Sequence, residues 1–409
     1  MARRPRLWCR RCRRQRRRQR RRRLHLRLDR IAYCVLRKLS TQYAIRANIM
    51  DTFKILQRLS ETAGPSGQED EIAAVIEELW RPYVDEFSRD RVGNLIAVRQ
   101  GSGEEPRRRV LLAAHMDEIA LMVSEIVSHN GNGFLRVTNV GGVDKRHLYG
   151  QLVTVHGRKS LHGVIGSLPA FMLPPDKRSK PFDFETLAVD VGLPLTEVEA
   201  LVDVGDFVSF RQPLRKLLHG RVSGKALDNR ASVAAVTICL EELSRREHSW
   251  DVIAAATAQE ETRLLGAFTS AHSQRPDAAV AIDVTFGKGP GANEDGTFEL
   301  NGGPILDIGP NVNPGMYRAL KKAADRLEMK IHDGTHSRAS GTDAFGLQIA
   351  REGIPTGLVS IPLRYMHTMV ETIAQKDVKR SGRLLAEFIA RLDDDFIAKM
   401  EKEMMEEGA

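Results

Sequence analysis

Several histidine and carboxylate side chains of this 409-residue chain stand in or just beyond short apolar segments of the kind that form buried strands. In chain order they are His115, Asp117, Asp228, Glu260, Glu261, Asp283 and His367. Imidazole and carboxylate groups are common ligands of divalent cations. Two imidazoles, two terminal carboxylates and one shared carboxylate would suffice to hold a pair of ions. The set therefore indicates a two-metal site that activates water.

Each of these residues, taken singly, also has an ordinary structural explanation. His115 follows the apolar run 110–114 and could bind a metal while Asp117 fixes its tautomer. A histidine after a strand is, however, more often a structural residue. Glu260 and Glu261 could divide the work, one binding a metal and the other moving a proton, or they could simply favour the first turn of a helix. Both alternatives stay open for the isolated residues.

Three further positions strengthen the metal interpretation. Asp283 lies inside the apolar run AVAIDVTF, where a carboxylate needs a cation or a hydrogen-bond donor beside it. Asp228 lies in the segment 224–230, which opens a predicted helix, and His367 follows the apolar segment 356–360. Because strand ends in an α/β sheet meet at one edge, we expect these side chains to converge there.

The elements that must position these residues alternate between helical and apolar strand patterns. This alternation occupies residues 50–121 and 219–409 and predicts one α/β catalytic domain, an α/β/α sandwich around a mostly parallel or mixed sheet. Residues 122–218 contain short β-like stretches separated by glycine and proline, which predict an inserted, barrel-like β domain. A long amphipathic stretch at 377–397 predicts the last helix.

Residues 1–49 differ sharply from the rest of the chain. They hold 19 of the 62 Lys and Arg residues and only one acid, Asp29, so that residues 50–409 carry a net charge of −9. Such a segment could bind nucleic acid, or it could be a transit peptide although serine is nearly absent. We expect instead that it is disordered, or untranslated with the true start at Met50, and that nucleic acid is not a partner.

The composition of the full chain excludes other classes. A hydrophobic fraction of 42% and a charged fraction of 28% over all 409 residues are ordinary for a soluble protein, and no apolar run reaches the roughly 18 residues of a membrane helix. Cys239 is the single cysteine after residue 49, so no disulfide framework is possible there. These features favour a cytoplasmic enzyme.

The chain from Met50 to about Leu392 resembles the TET aminopeptidases, the glutamyl aminopeptidase group of dinuclear metallopeptidases that genomes often label endoglucanase M. The resemblance rests on AHMDEI at 114–119, ALDNR at 226–230, QEE at 259–261, the buried Asp283, SGTDA at 340–344, and REGIPTG with RYMHT between 351 and 368. It implies a metallo-aminopeptidase with the zinc-peptidase fold and two divalent ions, zinc or cobalt, with manganese as a further option.

The resemblance also implies a ligand set. One ion would be held by His115 and Asp283. The other would be held by Glu261 and His367, and Asp228 would bridge the two.

Two further roles and two departures accompany this ligand set. The resemblance makes Glu260 the general base and Asp117 the residue that orients His115. Arg263 and Phe171 replace residues that are common in relatives. Arg263 adds a cation close to the proposed base, which could alter the substrate preference, and relatives often carry a histidine where Phe171 stands.

The predicted function is hydrolysis of N-terminal residues from short peptides with a free N-terminus. The resemblance implies a homo-oligomer, from a dimer to a tetrahedral dodecamer. A related two-metal deacylase or carboxypeptidase is one alternative, and a glycosidase is another, although it would need two carboxylates without metal and would leave both histidines unexplained. A serine hydrolase is disfavoured because the chain has no G-x-S-x-G motif.

Overall fold

The computed structural model describes residues 51–176, 178–179 and 183–407. The basic segment 1–49, with any role in binding nucleic acid, lies outside the described residues. The described helices are α1 (Thr52–Glu61), α2 (Asp70–Trp80), α3 (Leu195–Leu201), α4 (Leu227–Leu243), α5 (Glu260–Arg263), α6 (Leu265–Gln274), α7 (Pro314–Arg326), α8 (Asp343–Gln348), α9 (Gln375–Ile389) and α10 (Phe396–Glu407). The described strands are β1 (Glu86–Arg89), β2 (Leu95–Arg99), β3 (Arg109–His115), β4 (Ala120–His129), β5 (Asn132–Val140), β6 (Leu152–His156), β7 (Ser160–Gly166), β8 (Ala188–Pro194), β9 (Phe207–Phe210), β10 (Arg215–Lys216), β11 (Arg221–Gly224), β12 (Asp251–Thr257), β13 (Ala278–Phe286), β14 (Ile305–Ile308), β15 (His332–Thr335), β16 (Thr356–Arg364) and β17 (Glu371–Ala374).

A mixed sheet of eleven described strands runs in the order β1-β2-β12-β3-β13-β16-β17-β11-β10, with β14 and β15 joined to β16. Its central strands β12, β3, β13 and β16 are parallel, whereas β2 and β17 flank them in antiparallel orientation. The central strands are nearly unbroken apolar runs, DVIAAAT in β12 and RVLLAAH in β3, and are buried almost throughout. Such runs are typical of a parallel sheet with both faces covered.

Helices cover the two faces of this sheet. Helix α4 packs on β3 and β13, and α9 packs beside it on β16 and β17. Helices α6 and α8 pack against β12 and β13 through a separate apolar cluster. The contact between α9 and α4 is close because Gly382 has no side chain: a Cβ at this position would lie 2.6 Å from the carbonyl oxygen of Ala235. The predicted α/β/α sandwich is confirmed.

A closed six-stranded barrel, in the order β4-β5-β8-β7-β6-β9, leaves the sheet after β3 and returns to it before β10. Its strands alternate inward and outward residues: in β6, Val153 and Val155 are buried while the side chains between and beside them are not. The inward residues form a core of their own. The predicted barrel-like domain is therefore present. Its strands run from Ala120 to Phe210, and the domain boundaries 122–218 stay a prediction.

The amphipathic stretch at 377–397 is helical as predicted as far as Ile389, but a break at residues 390–395 divides it. Helix α9 ends at Ile389 and α10 begins at Phe396. Between them the carbonyl oxygen of Asp393 accepts hydrogen bonds from Nε1 of Trp250, at 3.0 Å, and from the amide of Phe396. The Phe396 ring then packs edge-on against Trp250, so tertiary contacts interrupt the helical pattern. Neither of these helices, nor any other in the described ranges, is long and apolar enough to cross a membrane.

Candidate metal centre

The carboxyl ends of the four parallel strands bring polar residues into one row. Thr257 of β12 lies opposite His115 of β3, and Asp283 of β13 lies opposite Ser360 of β16. The register of β13 against β3 places Asp283 level with His115. Paired residues of parallel strands point to the same side of a sheet. After its first residue each strand is apolar up to this row, so the polar residues gather here.

Asp228, at the start of α4, lies between the two histidines. Its Oδ1 is 3.2 Å from Nε2 of His115, and its Oδ2 is 3.4 Å from Nε2 of His367. Beyond the histidines lie two more carboxylates. Asp283 Oδ1 is 3.9 Å from Nε2 of His115, and Glu261 Oε2 is 3.5 Å from Nε2 of His367. The arrangement consists of two donor groups that share Asp228.

The donor atoms cluster closely enough to hold metal ions. One set, from His115, Glu260 and Asp283, has its ligand atoms within 4.8 Å of one another, and so does a second set from His115, Asp228 and Glu261. Imidazole nitrogens and carboxylate oxygens are borderline to hard donors that suit divalent cations. The residues present therefore fit divalent metal ions. Because Glu260 belongs to the first set, distances alone do not separate a ligand from a base at that position.

The crowding of carboxylates appears in their proton affinities. Burial raises the pKa of Glu260 to about 9, and the charge of Asp283 adds to this rise against the opposing effect of His115. Burial and the neighbouring Asp228 raise the pKa of Glu261 well above its usual value. Burial also raises the pKa of Asp283. A site that makes carboxylates hard to ionise is one where cations would be favourable.

The pKa values of the two histidines and of Asp228 are shifted in the directions that oppositely charged neighbours produce. Burial disfavours the cation of His115, but Glu260, Asp117 and Asp228 outweigh this effect and raise its pKa well above the usual value. A hydrogen bond to Asp228 raises the pKa of His367. Burial works against ionisation of Asp228, yet its contacts with both histidines hold its pKa below the usual range.

Asp117 connects two of the sequence-predicted elements. Its Oδ1 lies 3.4 Å from Nδ1 of His115, and the side chain is fully buried. The same carboxylate accepts hydrogen bonds from the backbone amides of Glu260 and Glu261, both at 3.1 Å. These two acids open α5, so the alternative explanation of a helix N-terminus also holds. Asp117 therefore holds the acidic turn and lies beside the ring of His115.

Glu371, at the start of β17, was missed by the sequence reasoning. It is 2% exposed, and its two carboxylate oxygens accept hydrogen bonds from the backbone amides of Asp228 and His367, both at 3.0 Å. Burial raises its pKa well above the usual value. Glu371 lies within the mostly apolar stretch MVETIA, which carries the same signal that identified Asp283, a charge in a buried strand, and could have been found by it.

Two further buried acids accept hydrogen bonds from residues at the same edge of the sheet. Asp343, from the SGTDA motif, accepts a hydrogen bond of 2.5 Å from Oγ1 of Thr257, and burial raises its pKa to about 6. Glu69, before α2, accepts hydrogen bonds from the amides of Gly67 and Gln259, and burial raises its pKa to about 7. Neither received a role from the sequence, because nothing local to them indicates a partner so distant along the chain.

The backbone around the centre adopts unusual conformations. Ala226, Gln259 and His367 have φ values of 55°, 57° and 60°, in the left-handed region that residues with a Cβ rarely occupy. Each lies in or beside one of the three segments that carry Asp228, Glu260–Glu261 and His367. Such strain persists where the surrounding structure imposes it, often at functional sites.

Residues 93–384 match the family model of the M42 glutamyl aminopeptidases. This chain belongs to the M42 family. The resemblance to TET aminopeptidases drawn from its motifs is thereby confirmed, and so is the enzyme class, a peptidase.

Three M42-like proteins show the extent of the similarity. The lysyl aminopeptidase of Pyrococcus furiosus is 33% identical over 350 residues, which cover 84% of this chain and 98% of that protein. A TET aminopeptidase structure from a marine sediment archaeon of the Thaumarchaeota has a TM-score of 0.79 and 30% identity, covering 85% of this chain and 98% of its own. The TET1 peptidase of Pyrococcus horikoshii can assemble into a tetrahedron or a large octahedral shell. Its structure has a TM-score of 0.73 and 30% identity, covering 84% of this chain and 100% of its own.

The centre of this M42 peptidase opens into a cavity of about 880 Å³. Besides the proposed ligands, its walls include Arg263, Phe286, Phe298, Asp307 and His336. Arg263 is exposed and, among the described residues, has no ion-pair or side-chain hydrogen-bond partner. Phe171 is 76% exposed and does not line this cavity.

The metal-free M42 peptidase should become less stable as the pH rises from about 5 to about 9, and divalent metal should reverse this trend. A carboxylate whose pKa is raised by folding stabilises the folded state while protonated. This stability is lost as the pH rises through the pKa of the folded state. For Glu260 the loss spans the range from its ordinary pKa of 4.5 to its raised pKa of about 9. His115, whose pKa is also raised, acts in the same sense. Asp228 and Asp117, whose pKa values are lowered, act only at more acidic pH.

The measurement is the thermal unfolding temperature of chelated and metal-reloaded protein at pH 6 and pH 8.5. We expect the difference between the two forms to be larger at pH 8.5, because metal binding needs deprotonated ligands. A difference that is equal or smaller at the higher pH would contradict the electrostatic account of the centre.

Proposed function

We propose that the protein is a metal-dependent aminopeptidase that removes N-terminal residues, one at a time, from short peptides with a free N-terminus. The observation that carries this proposal is the position of Asp228 between two histidines, each with a further carboxylate beside it. Membership of the M42 family supplies the reaction class. The proposed ions are two zinc or cobalt ions per subunit, with manganese as a further option.

In this proposal His115 and Asp283 would hold one ion, Glu261 and His367 would hold the other, and Asp228 would serve both. Bound there, the ions would polarise the scissile carbonyl and lower the pKa of water. Because Asp228 is the only one of these carboxylates to contact both histidines, it is the natural bridge.

Glu260 is proposed as the general base, because bound cations beside it would lower the pKa that burial raises in the metal-free site. Its Oε2 lies 3.7 Å from Nε2 of His115, and its backbone amide is held by Asp117. It takes the proton from the attacking water and passes it to the nitrogen of the leaving peptide as the C–N bond breaks. Asp117 fixes both the turn that carries Glu260 and the ring of His115, which keeps base and ligand in register.

The proposed partners and setting follow from the same similarities. We propose a homo-oligomer, from a dimer to a tetrahedral dodecamer, on the basis of the assembling Pyrococcus horikoshii relative. We propose a cytoplasmic location because the one cysteine of the described residues, Cys239, is free and buried. A glycosidase is not supported, since the family that matches is a peptidase family.

A short peptide should be shortened stepwise from its N-terminus, whereas the same peptide with an acetylated N-terminus should stay intact. Acetylation removes the charge and the lone pair of the terminal amine, so the substrate loses the group that anchors it among the acids of the centre. Mass spectrometry of timed digests measures both products. Cleavage of the acetylated peptide at a comparable rate would favour a two-metal deacylase, and release of residues from the carboxyl end would favour a carboxypeptidase.

A further inference from the structure

A second group of polar side chains lines the same cavity and has no part in the proposed mechanism. Asp307 of β14 receives a hydrogen bond of 2.5 Å from Oγ of Ser360 on its Oδ2. Its Oδ1 is 2.9 Å from Nε2 of His336, which follows β15. All three residues belong to the cavity wall. They form a connected chain that begins in β16 beside the row of candidate ligands and ends at an imidazole.

This chain is built into the fold. Asp307 is 1% exposed, and both of its carboxylate oxygens are engaged, as a buried charge requires. Room for it exists because residue 334 is glycine: a Cβ on Gly334 would lie 2.2 Å from Oδ1 of Asp307. The amide of His336 bonds to the carbonyl of Ile308, which continues the pairing of β14 with β15. The imidazole is therefore held at a fixed point of the wall.

The other side of the imidazole faces the cavity. The side chain of His336 is 27% exposed, and its Nδ1 makes no hydrogen bond within the described ranges. The hydrogen bond to Asp307 raises the pKa of His336 above its usual value. In its protonated form, the ring uses Nε2 to donate to Asp307 and leaves Nδ1 as a charged donor towards a ligand.

The position suits contact with the substrate. Ser360 lies opposite both Asp283 of β13 and Ile305 of β14, so β14 is the second strand away from Asp283. Strands lie 4.7 to 4.9 Å apart and Asp307 is two residues along β14 from Ile305, which puts the backbone of Asp307 roughly 12 Å from that of Asp283. An extended dipeptide spans about 7 Å, and side chains from both walls shorten the remaining gap, so a substrate held at the centre can bring its first side chain or the end of a dipeptide towards His336.

The remaining charged groups of the cavity are accounted for as follows. Asp333 accepts a hydrogen bond of 2.7 Å from the hydroxyl of Tyr317 and lies 3.5 Å from Nζ of Lys321. Glu294 pairs with Lys288. Besides the carboxylates of the metal centre and the engaged Asp307, this leaves Asp295 and the cation of Arg263 on the same walls. Asp307 is the one charged group in direct contact with His336 among the described residues.

We propose that His336 is a specificity-determining residue that binds a carboxylate of the substrate, with Asp307 and Ser360 as positioning residues. The inference rests on the proposed function and adds to it the chemical group that is recognised. That carboxylate has two possible sources, an acidic side chain on the N-terminal residue or the α-carboxylate of a dipeptide.

The test compares carboxylates with the matching neutral amides. Glutamyl and glutaminyl p-nitroanilides probe the side chain, and Leu-Gly and Leu-Gly-amide probe the α-carboxylate. For at least one pair, the ratio of kcat/KM, carboxylate over amide, should fall about tenfold or more in His336→Gln. Glutamine keeps a donor for Asp307, so the buried carboxylate retains a partner. His272→Gln, an exposed histidine of α6 outside the cavity, should keep the wild-type ratio.

The pH dependence of the carboxylate-over-amide ratio distinguishes a positioning role of Asp307 from a purely structural one. In the wild type, the ratio should persist until the pH rises through the raised pKa of His336 and then decline. In Asp307→Asn, the decline should begin at lower pH, because the neutral amide no longer stabilises the cation. Taking a ratio of two substrates cancels the titration of the metal centre, which both substrates share.

Calorimetric binding of glutamate, glutamine, Leu-Gly and Leu-Gly-amide gives the same comparison when turnover is suppressed by Glu260→Gln, with the single variant compared with Glu260→Gln/His336→Gln. If neither p-nitroanilide nor dipeptide is hydrolysed, the aminopeptidase proposal fails, while the binding ratios still judge His336. The assignment of His336 is overturned if the protein that carries His336 distinguishes carboxylate from amide no better than its His336→Gln counterpart does, for both pairs of ligands and in both turnover and binding.

Discussion

Glu260→Gln should lower kcat by at least about a hundredfold and leave both metal ions bound, since general-base catalysis contributes that much or more. Glutamine has nearly the same shape and keeps its backbone amide on Asp117, so the turn should not move. What it loses is the ability to accept a proton from water. Turnover of a free-amine peptide and elemental analysis of the purified protein are the two measurements.

Two comparisons sharpen this test. Glu261→Gln alters the neighbouring proposed ligand, and we expect it to lose metal together with activity. Glu197→Gln makes the same change on the exposed surface of α3 and should stay within about twofold of the wild type in turnover. If Glu260→Gln lost an ion, Glu260 would be reassigned as a ligand, which its place in the donor set of His115 and Asp283 would permit. Near-normal turnover would instead rule out Glu260 as the general base.

Asp228→Ala should remove metal and activity together, the largest effect expected on metal content. The reason is its position: Oδ1 and Oδ2 each approach a different histidine, so the change takes a ligand from both proposed ions. Asp283→Ala takes a ligand from one proposed ion only, and we expect it to retain more metal than Asp228→Ala. Metal content after dialysis against buffers of defined free zinc measures this order.

Asp117→Asn gives a graded comparison for the same experiment. Because Asp117 contacts His115 and the amides of Glu260 and Glu261 and is not proposed to bind an ion, its loss should weaken metal binding about ten- to a hundredfold. Two tightly held ions in Asp228→Ala would show that the ligand set is wrong. A stronger loss in Asp117→Asn than in Asp228→Ala would make Asp117 a ligand.

The sequence by itself identified the residues that end or interrupt apolar strands. His115, Asp283 and the Glu260–Glu261 pair stand out because a buried strand tolerates only apolar side chains until it reaches an edge where something else is needed. Since parallel strands end at one edge, the convergence of these side chains could also be predicted. The α/β/α sandwich and the barrel followed from the same periodicities.

The tertiary structure alone decided which groups act on one another across long separations. Glu371 lies 143 residues from Asp228, yet its carboxylate holds the amides of Asp228 and His367. Asp307 meets His336 and Ser360 in the same way, from three separate strands or strand ends. The periodicity of a sequence indicates whether a residue is buried, because burial selects residue types at regular intervals. It does not indicate which distant residue a side chain will contact, because a hydrogen bond across the fold depends on strand order and register, which no local pattern specifies.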